Sequence, residues 1–154
     1  MKPRTIACSL ALCFISTTLC FAQKGFMGTW KLNEAKSKLA AGAPKNNTVV
    51  WESSGDTVKI TADGMDASGK PTHIEWAGKL DGKDYPVTGD PNSDARSYFQ
   101  QSKHHIRLKA KKGGKVTTTG VIYLSPDGKT RTVTTTTTDA QGKKVKSTAV
   151  YDKE

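Results

Sequence analysis

Few residues in this sequence have the type and spacing that chemistry demands. His104 and His105 are adjacent, and neighbours on a strand point to opposite faces, so they cannot jointly grip one metal ion. His73 stands alone. Asp90-Pro91-Asn92-Ser93-Asp94 has the D-x-N-x-D opening of a calcium loop. The glycine such a loop needs is Ala95, however, and its twelfth position is Gln101 rather than a bidentate glutamate. These residues read as a turn-forming loop. No G-x-S-x-G is present, all three cysteines precede residue 21, and paired carboxylates such as Asp81 and Asp84 fall in turns. The sequence therefore predicts neither an enzyme nor a metal or cofactor site. Asn46-Asn47-Thr48 is a glycosylation sequon, relevant only in a eukaryotic source.

What remains is recognition of a small molecule. Trp30, Trp51, Trp76, Phe99, Tyr123 and Tyr151 are spread over separate candidate strands, where they either fill an interior or line a ligand cavity within it. Arg131 adds an inward cation if it shares a face with Val133.

The elements that carry these residues are strands. Threonine is abundant and large aliphatics are scarce, which disfavours a helix bundle, suits pleated surfaces and leaves a thin core compatible with a hollow interior. Gly113-Gly114, Asp127-Gly128 and Asp139-Ala140-Gln141-Gly142 separate runs at 115–124, 129–138 and 143–151, a hairpin pattern that rests on residues tolerant of positive φ. Ser54-Gly55-Asp56, Asp63-Gly64 to Gly69 and Asp81-Gly82 punctuate the upstream half in the same way. Within the runs the period is two. Val58 and Ile60 oppose Thr57, Lys59 and Thr61; Ile74 and Trp76 oppose His73 and Glu75; Ile106, Leu108 and Ala110 oppose Arg107, Lys109 and Lys111.

One apolar face per strand predicts an all-β, antiparallel up-and-down meander of roughly 8–10 strands closing into a barrel, with a two-sheet sandwich as the alternative. Residues 33–41 interrupt the pattern: Asn33 is placed to cap a short helical turn over Glu34–Ser37, with Gly42 and Pro44 ending it, and this segment is expected to plug one mouth. Residues 81–95 are loop-rich, with a short strand at Tyr85-Pro86-Val87. Thr130–Thr138 offers only Val133 as an apolar residue, which argues against a lipid-facing barrel.

Residues 1–22 read as a signal peptide: Lys2 and Arg4 precede an uncharged, mostly apolar run from Ile6 to Phe21, and Cys20-Phe21-Ala22 forms the cleavage site before Gln23. The run is shorter than the roughly 20 residues of a membrane span. Because Cys8, Cys13 and Cys20 all lie there, the remaining 132 residues form one domain, 23–154, that folds without disulfides. A secreted or periplasmic monomer follows, with no membrane span once the leader is removed. Removal of the leader leaves a charge of +8. The lysines sit at turns and alternate strand positions rather than on an aromatic-studded face, which disfavours nucleic acid. They suit solvated protection of strands or, as a second function class, attraction to an anionic envelope polymer through Lys109, Lys111 and Lys112.

Phe26-Met27-Gly28-Thr29-Trp30-Lys31-Leu32 resembles the first strand of the calycin superfamily, where lipocalins carry G-x-W and fatty-acid-binding proteins a similar F-x-G-T-W-K-L. Ser147–Glu154 resembles the last fatty-acid-binding strand. There the resemblance implies an Arg-x-Tyr pair on a lipid carboxylate; Tyr151 matches the tyrosine, Ala149 stands at the arginine position, and Arg131 is the substitute cation. The family's two-helix lid has no counterpart. Taken whole, the chain is most similar to uncharacterised secreted bacterial proteins described as lipocalin-like. The shared segments are G-T-W-K-L-N-x-A-K-S-K, D-G-K-D-Y-P-V-T-G-x-P and a V-Y-x-K end. This resemblance implies the barrel fold rather than an activity; a small lipophilic ligand, apolar or amphipathic, is expected from the G-T-W-K-L strand, the long meander and the sparse aliphatic core.

Overall fold

A computed structural model describes residues 23–138 and 142–154. The proposed leader lies outside the described residues, as does most of the Asp139–Gly142 turn. The chain enters through a 3-10 turn, Lys24–Phe26, and then forms β1 (Gly28–Leu32). A second 3-10 turn, Glu34–Lys36, precedes β2 (Lys45–Ser54), β3 (Thr57–Met65), β4 (Pro71–Gly78), β5 (Tyr85–Thr88) and β6 (Ala95–Gln100). The chain continues through β7 (His105–Lys112), β8 (Lys115–Leu124), β9 (Thr130–Thr138) and β10 (Lys144–Lys153).

Each strand pairs antiparallel with its sequence neighbour, and β1 also pairs with β10, so the described residues form a closed ten-strand barrel. Closure removes the open strand edges that each sheet of a sandwich would keep. The strands of the downstream half lie where the turn residues put them, and Gly113-Gly114 and Gly128 occupy the positive φ that their hairpins require. Upstream, Asp63 and Gly64 are not in a turn: both are paired within β3, which runs on to Met65. The weakest seam is β4–β5–β6, joined by two paired positions on each side of β5.

Alternation decides which face is inside. Val58, Ile60 and Ala62 on β3, Ile74 and Trp76 on β4, and Ile106 and Ala110 on β7 are buried, while Lys59, His73 and Lys109 are exposed. The barrel has two unlike ends. At the base, Phe26 and Trp30 are fully buried and the Trp30 indole Nε1 donates to the Phe26 carbonyl at 2.9 Å, so β1 is sealed by the turn that precedes it. The opposite end is a mouth, rimmed by residues 39–46, the β3–β4 turn and the β5–β6 loop.

The turn after β1 forms as expected, with the Asn33 side chain accepting from the Lys36 amide at 3.1 Å. It does not plug the mouth. Glu34–Lys36 buries none of its residues, because Lys36 and Asn33 tie it to Asp152 on β10. The later part of the expected segment does reach the mouth, where Leu39 to Pro44 lines the opening without filling it.

Candidate functional site

The interior holds a cavity of about 600 Å³ that reaches from the base to the mouth. Its floor is Arg131, from the base end of β9. In register beside it stand Leu124 of β8 and Tyr151 of β10. The side chain lies inward because Arg131, Val133, Thr135 and Thr137 share the inner face of β9, and all four line the cavity.

Arg131 is 2% exposed, and among the described residues no carboxylate pairs with it. Three aromatic faces surround its guanidinium carbon, at 4.8 Å from the Trp30 ring centroid, 5.0 Å from Tyr151 and 5.4 Å from Trp51. Such contacts contribute about 0.5–2 kcal/mol each. They do not accept the in-plane N–H bonds, and among the described residues Nε and Nη1 have no hydrogen-bond partner. Burial pushes the guanidinium down to about 10, with the Tyr151 and Tyr98 rings opposing. A pKa near 10 still leaves the group charged at neutral pH.

Above the floor, Tyr98, Ile122, Val133 and Ala149 form an apolar belt with Val49 and Ile74. Tyr98 is fixed by edge-on contacts to Trp76 at 4.6 Å and Trp51 at 5.6 Å, pairs worth about 0.5–1.5 kcal/mol beyond their burial. Nearer the mouth lies a second arginine. Arg96 Nη2 donates to Asp90 Oδ2 at 2.6 Å, and the Ser93 hydroxyl also donates to that oxygen. Burial raises the Asp90 carboxyl, but Arg96 and Ser93 outweigh it and hold the group below its usual range. This is what the Asp90–Asp94 loop does: Asp90 neutralises Arg96, and Asp94 accepts from the Gly113 amide at 2.8 Å.

Of the seven residues that the sequence nominates, Trp51, Arg131 and Tyr151 line the cavity. Trp30 lies beneath Arg131, and Trp76 lies behind Tyr98 with its Nε1 donating to the Arg96 carbonyl at 3.1 Å. Both are buried supports of the wall. Phe99 and Tyr123 are corrections: they are 47% and 39% exposed on the outer surface. Tyr98 takes the inward place on β6, so Phe99 is turned out over Gly82. Ile122 and Leu124 take it on β8, and Tyr123 packs on the outside against His105 at 5.0 Å. Tyr98 and Arg96 are the residues that sequence reasoning missed. Their i, i+2 spacing on a short strand was the available signal.

No family model matches the chain, and no curated protein matches it. Solved structures do. The design EF1p2_mFAP2b bound to DFHBI is 12% identical, with a TM-score of 0.51 over 86% of this chain and 97% of that one. A redesigned β-barrel, mFAP1, bound to DFHBI is 16% identical with a TM-score of 0.49, over 86% and 98% of the two chains. The first of these likenesses concerns the fold, and with the closed meander it defines the class: an all-β, up-and-down antiparallel barrel. A barrel of this class does not specify a ligand.

Proposed function

We propose that this protein is an exported lipocalin-like barrel that holds a small amphipathic molecule, its acidic group against Arg131 and its apolar part in the belt above. The observation that carries this reading is the unpaired guanidinium at the floor of the cavity, directly beneath its apolar belt. A buried charge without a partner is costly, and a packed interior would gain by losing it. A ligand anion would supply the missing acceptor. The cavity volume also falls within the range of about 300–1,000 Å³ usual for small-molecule sites. Export, and kinship with the secreted bacterial lipocalin-like proteins, rest on the leader and the shared motifs of the sequence.

The test is to express the full chain, recover the processed protein and examine it by native mass spectrometry and organic extraction. A co-purifying acidic amphiphile, or quenching of tryptophan fluorescence by lipophilic acids, is the expected result, together with an N-terminus at Gln23. A processed protein that carries nothing and ignores such probes would overturn the binding reading. An unprocessed N-terminus would overturn export.

A further inference from the structure

The cavity is polar at both ends. Along the inner face of β9 the lining changes from a cation at Arg131, through Val133, to hydroxyls at Thr135 and Thr137. The neighbouring strands repeat the sequence in register: Tyr151, Ala149 and Ser147 on β10, and Ile122 then Thr118 on β8, from base to mouth. Thr118 and Thr137 bring their hydroxyls to 3.0 Å, Ser147 accepts from the Ala40 amide at 3.1 Å, and Arg96 faces the same level. From Arg131 to Thr137 the strand rises about 20 Å.

Strand propensity accounts for threonine on β9 but not for hydroxyls turned inward, since valine would serve the sheet equally and suit an apolar cavity better. The cations described at this upper level are already paired. Arg96 is held by Asp90 and Lys45 pairs with Glu34 at 3.1 Å, while the Asp66 carboxylate accepts from the Ser68 and Lys70 backbone amides and keeps its negative charge. Among the described residues the upper band therefore offers dipoles and no free cation, while the floor offers one net positive charge.

Resting on the proposed binding of an acidic amphiphile, we propose that the ligand carries a second, uncharged hydrogen-bonding group at the end remote from its acid, seated among Thr118, Thr135, Thr137 and Ser147. An ω-hydroxylated or similarly functionalised long-chain acid fits this description. A plain hydrocarbon tail leaves the band unused, and a second carboxylate meets no free cation there.

The experiment is titration calorimetry of the processed protein with hexadecanoic acid, ω-hydroxyhexadecanoic acid and hexadecanedioic acid. The ω-hydroxy acid is expected to bind about five-fold more tightly than the plain acid, the equivalent of one net hydrogen bond of about 1 kcal/mol. The diacid should bind more weakly than the ω-hydroxy acid. In the variants Thr135→Val and Thr118→Val/Thr137→Val the ratio of the two affinities should fall to about one. Equal affinity of the plain and ω-hydroxy acids, or variants that weaken both alike, would overturn the inference and leave the binding function standing. Failure of all three acids to bind would overturn both.

Discussion

The Arg131 guanidinium carbon stands 4.8 Å above the Trp30 ring, and Trp30 is itself anchored to the Phe26 carbonyl. The floor of the cavity is thus a cation resting on the plug that closes the barrel. The contact couples a costly group to a stable one, and its removal separates the two roles. Arg131→Met keeps an unbranched side chain on the indole and deletes the unpaired donors. Denaturant unfolding of the ligand-free variant should show equal or greater stability, by up to about 1–4 kcal/mol. A loss of 2 kcal/mol or more would mean that the arginine serves the fold.

On the outer wall, His73 Nδ1 lies 2.6 Å from Asp63 Oδ1 and Nε2 lies 3.8 Å from Glu75. The hydrogen bond and charge of Asp63 raise the imidazole above its ordinary 6.5, with Glu75 adding to the effect. Since the folded-state pKa is the higher one, this pairing stabilises fully below about pH 6.5 and is lost as pH rises through the raised value. NMR titration should place His73 above 6.5 in the parent, and Asp63→Asn should bring it back down. An unchanged His73 in that variant would refute the pairing.

Asn33 works on both sides of the turn after β1. Its carbonyl oxygen caps the Lys36 amide at 3.1 Å, and its amide donates to Asp152 at 2.6 Å. Asn33→Ala removes both and should cost about 1 kcal/mol in thermal or denaturant unfolding. Asn33→Asp keeps the cap but faces Asp152 with a like charge, so it should recover only part of the loss.

Gly89 opens the loop that carries Asp90. Its φ is +75°, and a Cβ there would lie 1.8 Å from the His73 carbonyl oxygen. Gly89→Ala should therefore destabilise by more than about 1 kcal/mol, with amide exchange accelerated first along the short β4–β5 seam. An alanine variant of parental stability would contradict the close approach.

The fold was legible because two local signals agree: period-two alternation, as in Ile106, Leu108 and Ala110, and glycine turns at regular spacing. Arg131 was legible as an inward cation only through its spacing from Val133, which β9 bears out by placing both on the cavity. Phe99 and Tyr123 were misread because aromatic character was weighed above alternation. Ile122 and Leu124 already claim the inner face of β8, so Tyr123 could not share it. Tyr98 and Arg96 escaped notice because β6 mixes polar and apolar residues on both faces. Its direction is set by pairing with β7, where Tyr98 opposes Leu108 and Arg96 opposes Ala110. The position of the turn after β1 was likewise beyond local pattern, since it depends on Asp152, more than a hundred residues away.

The central claim is that Arg131 holds the acidic group of an amphiphile. Its most direct test is titration calorimetry of hexadecanoic acid and hexadecanol into the parent and into Arg131→Met. The parent should prefer the acid by tenfold or more, since a charge-assisted hydrogen bond contributes about 1.5–3 kcal/mol, and the variant should lose that preference while still binding the alcohol. An acid that binds the variant as tightly as the parent would contradict the account.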